Sequence, residues 1–138
     1  MTVTTENKQR RVWLPAQWIK TGFTSGQGTG LAMAISGFPA GIKEIALARP
    51  TSLVTVGIQL SAAVTAGLIR FEITKNGSAT GKTVDLTSAS GLKAMWEFDP
   101  GELTGTKGDV VGVLWGSSGS LAPSGTIDGV IFFEVQDG

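Results

Sequence analysis

The 138-residue sequence contains no cysteine and no histidine. Their absence removes thiol nucleophiles, disulfides, imidazole bases and the commonest zinc ligands together. Without cysteine, the sequence also names no redox compartment. Charge is sparse: Asp, Glu, Lys and Arg make up 16% of residues, against about 25% in ordinary globular chains. The 11 basic and 11 acidic side chains cancel, so no net field steers the chain to nucleic acid or to a membrane surface. Neither is expected as a partner. No apolar run approaches the roughly 18 residues of a transmembrane helix, and Met1 to Lys20 lacks the apolar stretch of a signal peptide. A soluble chain that does not follow the Sec route is expected. Its length predicts one domain with a short appendage, large enough to bury roughly 68% of its unfolded surface without metal or disulfide.

What is present is glycine, 20 residues of it, and alternation. Ser52 to Leu60 sets Val54, Val56, Ile58 and Leu60 on one face, and Thr55, Gly57 and Gln59 on the other. Leu68 to Thr74 does the same with Ile69, Phe71 and Ile73 against Arg70, Glu72 and Thr74. Period-two patterning of this kind predicts half-buried strands. Asn76-Gly77 follows, the strongest short hairpin signal because a type I′ turn needs positive φ at both central residues; Lys82 to Thr87 is the return strand. Leu31 to Ile35, Ile42 to Ala48, Lys93 to Phe98 and Asp109 to Trp115 also read as strands. Ile127 to Val135 is apolar on both faces, through Val130 and Phe132 on the second. Such a strand is central in a core or half of an interface. No window carries a helical stripe, so the fold class is all-β: an antiparallel β-sandwich of about eight strands, with jelly roll the favoured topology.

The start of the chain differs from the rest. Lys8, Arg10, Arg11 and Lys20 against Glu6 give the first twenty residues a charge of +3, leaving −3 for the remainder. Trp13 and Trp18 carry too much apolar area to leave in water, about 150 to 250 Å² for each aromatic. Two readings stand: a strand or strap over the domain's own core, or an arm that anchors the domain to a partner. The division expected is an arm with a glycine-rich connection over 1–30 and the sandwich over 31–138.

Chemistry-bearing motifs are few. Gly77 to Thr83 imitates a phosphate loop, but with three residues between its glycines where four are needed, and between strands instead of before a helix. Gly26, Gly28 and Gly30 imitate a dinucleotide fingerprint without its βαβ unit. Ser117, Ser118 and Ser120 have no histidine to activate them. Glu97, Asp99 and Glu102 could form a glycosidase-type carboxylate pair, or could simply cap the turn Asp99-Pro100-Gly101. Asn76-Gly77-Ser78 fits a glycosylation site and reads instead as the hairpin turn. No catalytic residue, cofactor site or metal site is assigned.

Three segments, Ser61 to Gly67 (SAAVTAG), Ile73 to Gly81 (ITKNGSATG) and Lys107 to Val113 (KGDVVGV), resemble small β-sandwich domains of tailed-bacteriophage virion proteins. The resemblance spans Thr51 to Val135. It implies a non-enzymatic structural protein, usually trimeric: a capsid decoration (cement) protein, a head fibre or a tail-fibre domain. Decoration is favoured because the chain is one small domain without the heptads or Gly-X-Y repeats of a shaft. Its partners would be the major capsid protein and itself, on the outer surface of the capsid. On that reading Lys8, Arg10, Arg11, Trp13 and Trp18 anchor the arm, and Val130 and Phe132 face a neighbouring subunit. The alternative is a fibre domain that binds a host surface glycan or protein through an exposed cleft near Trp96 or Trp115.

Overall fold

The computed structural model describes residues 11–99 and 101–137, and over them the chain is all-β, with no helix. Eleven strands form two antiparallel sheets that face one another. In chain order they are β1 (Arg11–Lys20), β2 (Gly28–Ala32), β3 (Ala34–Ile35), β4 (Glu44–Ala46), β5 (Thr51–Leu60), β6 (Ile69–Lys75), β7 (Ser78–Leu86), β8 (Lys93–Glu97), β9 (Thr104–Gly105), β10 (Val110–Ser117) and β11 (Gly129–Asp137). The front sheet runs β3-β1-β11-β5-β8, with β9 also on β5; the back sheet runs β2-β10-β6-β7, with β4 also on β10. The short strands β3, β4 and β9 lie at the margins; of the eight strands expected, Ile42 to Ala48 shortens to β4, and β1 joins the seven others as a long strand. The eight longer strands pair in a nested way: β1 with β11, β2 with β10, β5 with β8, and β6 with β7.

Alternation sets the core. Val56, Ile58 and Leu60 of β5, Ile131, Phe133 and Val135 of β11, and Ile69, Phe71 and Ile73 of β6 all turn inward and are buried. Register departs from strict alternation at one place in β5. Val135 pairs with Leu53 while Glu134 pairs with Thr55, so Val54 is the extra residue of a β-bulge. Leu53 thereby joins the main core cluster, while Val54 is buried outside that cluster. Between β6 and β7 the two-residue turn is as the sequence predicts, with φ of 52° at Asn76 and 80° at Gly77.

The division into an arm over 1–30 and a sandwich from 31 needs correction. Residues Arg11 to Lys20 are β1, bonded along β11 inside the front sheet, and Gly28 to Ala32 is β2 of the back sheet. The sandwich therefore includes at least residue 11 onward. Trp18 explains why: it is 0% exposed, its ring lies 4.8 Å from that of Phe133, and its indole N–H donates to the Lys43 carbonyl at 3.0 Å. An indole body in apolar surroundings with its N–H satisfied is a stable core arrangement. Pro15, which lacks an N–H, falls in the irregular stretch between Trp13 and Gln17 where β1 leaves its register with β11.

Candidate functional site

With the inward residues of β1, β11, β5 and β8 in the core, their alternate residues form the outer face of the front sheet. Gln17, Phe132, Gly57 and Met95 lie in one row across the four strands, and Ile19, Val130, Gln59 and Lys93 in the next. Met95 is 60% exposed and Ile19 38%, while Val130 and Phe132 are half-buried. The Phe132 ring lies over Gly57, where a Cβ would stand 2.3 Å from it. Glycine is thus required for the ring to lie down on the sheet. Glu134 borders the patch and accepts a hydrogen bond from the Thr55 hydroxyl at 2.8 Å. The result is an apolar patch of Ile19, Val130, Phe132 and Met95 set among Gln17, Gln59 and Lys93, of the kind that marks interaction sites. It holds both residues, Val130 and Phe132, that the sequence nominates for a subunit interface.

The nominated anchors divide differently. Lys8 and Arg10 lie outside the described residues. Arg11 and Trp13 belong to β1, paired with Gln136 and Glu134. Trp18 is interior and offers nothing to a partner. Lys20, at the end of β1, stands 5.5 Å from the centre of the Trp115 ring, close enough for a cation–π attraction.

The tempting catalytic motifs serve as turns and latches. Glu102 pairs with Lys82 at 2.8 Å and accepts from the Asp99 N–H at 3.2 Å, closing its turn. The Lys82 bond holds the Glu102 carboxyl below its ordinary range, the opposite of what a general acid needs. Glu97 lies on the outer face of β8, on the row of Thr55. In the phosphate-loop imitation, the Gly77 N–H donates to Glu44 at 3.2 Å and the Gly81 N–H to Glu72 at 3.1 Å. A phosphate approaching these donors would meet two carboxylates. Asn76 donates to Asp109 at 3.0 Å and accepts from the Val110 N–H at 3.0 Å, tying the hairpin to the loop before β10. That bond is the main reason the Asp109 carboxyl is lowered.

The serine loop is equally occupied. Ser118 accepts from the Leu68 N–H at 3.0 Å, Ser120 lies 3.3 Å from Ser118, and Ser117 donates to the Thr24 carbonyl. Gly67 is fixed by the same loop, since with φ of 70° a Cβ there would stand 2.4 Å from the Ser118 hydroxyl. Trp115 is buried against Phe23 at 5.1 Å, and Trp96 packs on the core, so neither forms an open aromatic cleft. Among the described residues no cluster of acidic side chains could hold a metal ion. What alternation within single strands could not reveal is the row itself, which needs the register between four strands.

No protein-family model matches the sequence, and no curated protein does. Among solved structures, the chain is similar to the acidic-stable capsid of Helicobacter pylori bacteriophage KHP30, at 12% identity and a TM-score of 0.47, covering 94% of this chain and 93% of that one. It is also similar to a family 35 carbohydrate-binding module from Clostridium thermocellum, at 16% identity and a TM-score of 0.44, covering 94% and 99%. Likenesses this distant do not identify a ligand.

Proposed function

We propose that this chain is a non-enzymatic structural protein of a phage particle, a decoration (cement) protein seated on the outer surface of the capsid shell. The observation that carries the reading is the apolar patch on the outer face of the front sheet, where Phe132 lies on Gly57 in line with Met95 and beside Ile19 and Val130 of the next row. A face of this kind is covered in the working assembly, by a shell subunit or by a neighbouring copy in the trimer that the resemblance implies. The nested strand pairing supports reading the topology as a jelly roll.

A protein that binds only the assembled lattice stabilises that lattice by mass action, and several copies held together gain avidity from weak individual contacts. Attachment falls to the basic segment ahead of β1, through Lys8 and Arg10, because Trp18 is committed to the core. The test is the copy number of this chain relative to the major capsid protein in purified particles. Abundance comparable to the shell protein supports decoration; a small fraction supports the fibre alternative; absence overturns both. Phe132→Ser should keep the fold and its thermal midpoint within a few degrees while reducing particle binding at least tenfold, measured by co-sedimentation with stripped particles.

A further inference from the structure

Each sheet ends in a strand whose outer edge has no partner strand among the described residues, β7 in the back sheet and β8 in the front. Open edges invite pairing with another chain, and proteins that stay apart blunt them. The β7 edge is blunted. Its register against β6 shifts between Glu72 and Thr74; Thr80 donates to the Ile73 carbonyl at 2.6 Å, the Gly81 N–H is taken by Glu72 at 3.1 Å, and the Lys82 N–H reaches the Thr80 hydroxyl at 3.3 Å. β8 has no such irregularity, and its protection is limited to its shortness and to Lys93 and Glu97 at its two ends. Lys93-Ala94-Met95-Trp96-Glu97 contains no proline, keeps unbroken register with β5, and shows Met95 60% exposed at its middle.

The direction of its free backbone groups follows from its neighbours. The Leu92 carbonyl accepts from Leu60 and the Phe98 N–H donates to Val54, both on β5. Alternate residues of a strand turn their backbone groups to opposite edges, so those of Lys93, Met95 and Glu97 face outward from the sheet. We infer that β8 pairs antiparallel with β8 of a second copy, about a two-fold axis at Met95, joining two front sheets into one.

The sequence of the strand is complementary to itself under that operation. Met95 meets the partner's Met95, and their backbones exchange two hydrogen bonds. Lys93 stands opposite the partner's Glu97, and the small Ala94 opposite the partner's large Trp96. A two-fold contact requires such self-complementarity, and opposite charges directly across a ladder favour it. Lys93 and Glu97 lie on the outer face, both exposed. The apolar row Phe132-Gly57-Met95 then continues across the axis into the second copy. The pairing is made by the backbone edge of β8, so sedimentation of the free chain tests it separately from particle binding, which tests the decoration reading.

Sedimentation velocity of the full chain over a concentration series tests it. The expected result is a concentration-dependent pair. Met95→Pro removes an N–H that β5 does not use, a substitution edge strands accept, and should abolish the two-fold pairing with unchanged far-ultraviolet circular dichroism. Lys93→Glu sets like charges opposite and should weaken the pair about tenfold, and the exchange K93E with E97K should restore it. Should Met95→Pro fail to fold, the charge reversal and its rescue decide the matter. A monomer at every concentration, a pair indifferent to the charge variants, or a trimer without a paired species overturns the inference.

Discussion

The two sheets bury the same kind of inner face and present opposite outer ones. On the back sheet, Arg70 and Asp85 pair across β6 and β7 at 2.6 Å, Glu72 and Thr83 share the next row, and the Glu44 side chain crosses Gly112 to reach the Gly77 N–H. On the front sheet the two central rows carry Ile19, Val130, Phe132 and Met95 together with Gln17, Gln59 and Lys93. A solvated face is satisfied by water and by its own polar pairs. An apolar one loses free energy until something covers it, at about 25 cal/mol for each Å² left wet. On the proposed reading, one fold contains a face finished in the monomer and a face that a neighbour covers.

The largest effect that would sharpen this comparison lies beneath the front face. Trp18→Ala should cost about 3 to 5 kcal/mol of stability, read by denaturant unfolding. A loss below 1 kcal/mol would mean that β1 is not part of the core, and the apolar face would lose one of its strands. Next come the two bare glycines on the outer faces. At Gly112 a Cβ would stand 2.9 Å from both Glu44 and Thr74 and 3.1 Å from the Lys43 backbone carbonyl, so Gly112→Ala should cost about 1 to 3 kcal/mol. Gly57→Ala meets only the movable Phe132 ring; it should cost less and instead lift the ring, so that association suffers more than the thermal midpoint. Equal stability losses at the two sites would break the contrast between a finished face and an unfinished one.

The smallest effect concerns the polar pair of the back sheet. Hydrogen bonding to Arg70 holds the Asp85 carboxyl below its ordinary value. A depressed carboxyl contributes stability that is complete above its unfolded pKa of about 4 and is lost as pH falls through the lower folded value. The pair is part-exposed, with side chains 42% and 35% accessible, so solvent screening keeps its worth small. Asp85→Asn should therefore lower stability slightly at neutral pH and match the parent once the pH falls below the depressed folded value, as measured by thermal unfolding over a pH series.

Much of this architecture was legible locally. Alternation in Ser52 to Leu60 and Leu68 to Thr74 placed Ile58, Phe71 and Ile73 inside, and Asn76-Gly77 fixed its hairpin, because strand period and turn chemistry act over a few residues. Two features were not. Val54 is buried as alternation predicts, yet the bulge opposite Val135 places Leu53, and not Val54, in the main core cluster. The start of the chain left two readings open, Val12 to Ile19 as a strand or strap over the domain's own core and Met1 to Lys20 as an anchoring arm, since local pattern does not say where Trp13 and Trp18 dock. Trp18 settled it through Ile131 and Phe133, which come from the far end of the chain.

By itself, the sequence determined the exclusion of histidine and cysteine chemistry, the all-β class, the turns and most inward residues. These follow from residue type and from a two-residue period, which any short segment carries within itself. Only the tertiary structure decided that β1 is a core strand, that Glu44, Glu72 and Glu102 are spent on turns, and that Ile19, Val130, Phe132 and Met95 form one surface. Register between strands distant in sequence brings those residues together, and register is set by the packing of the whole core.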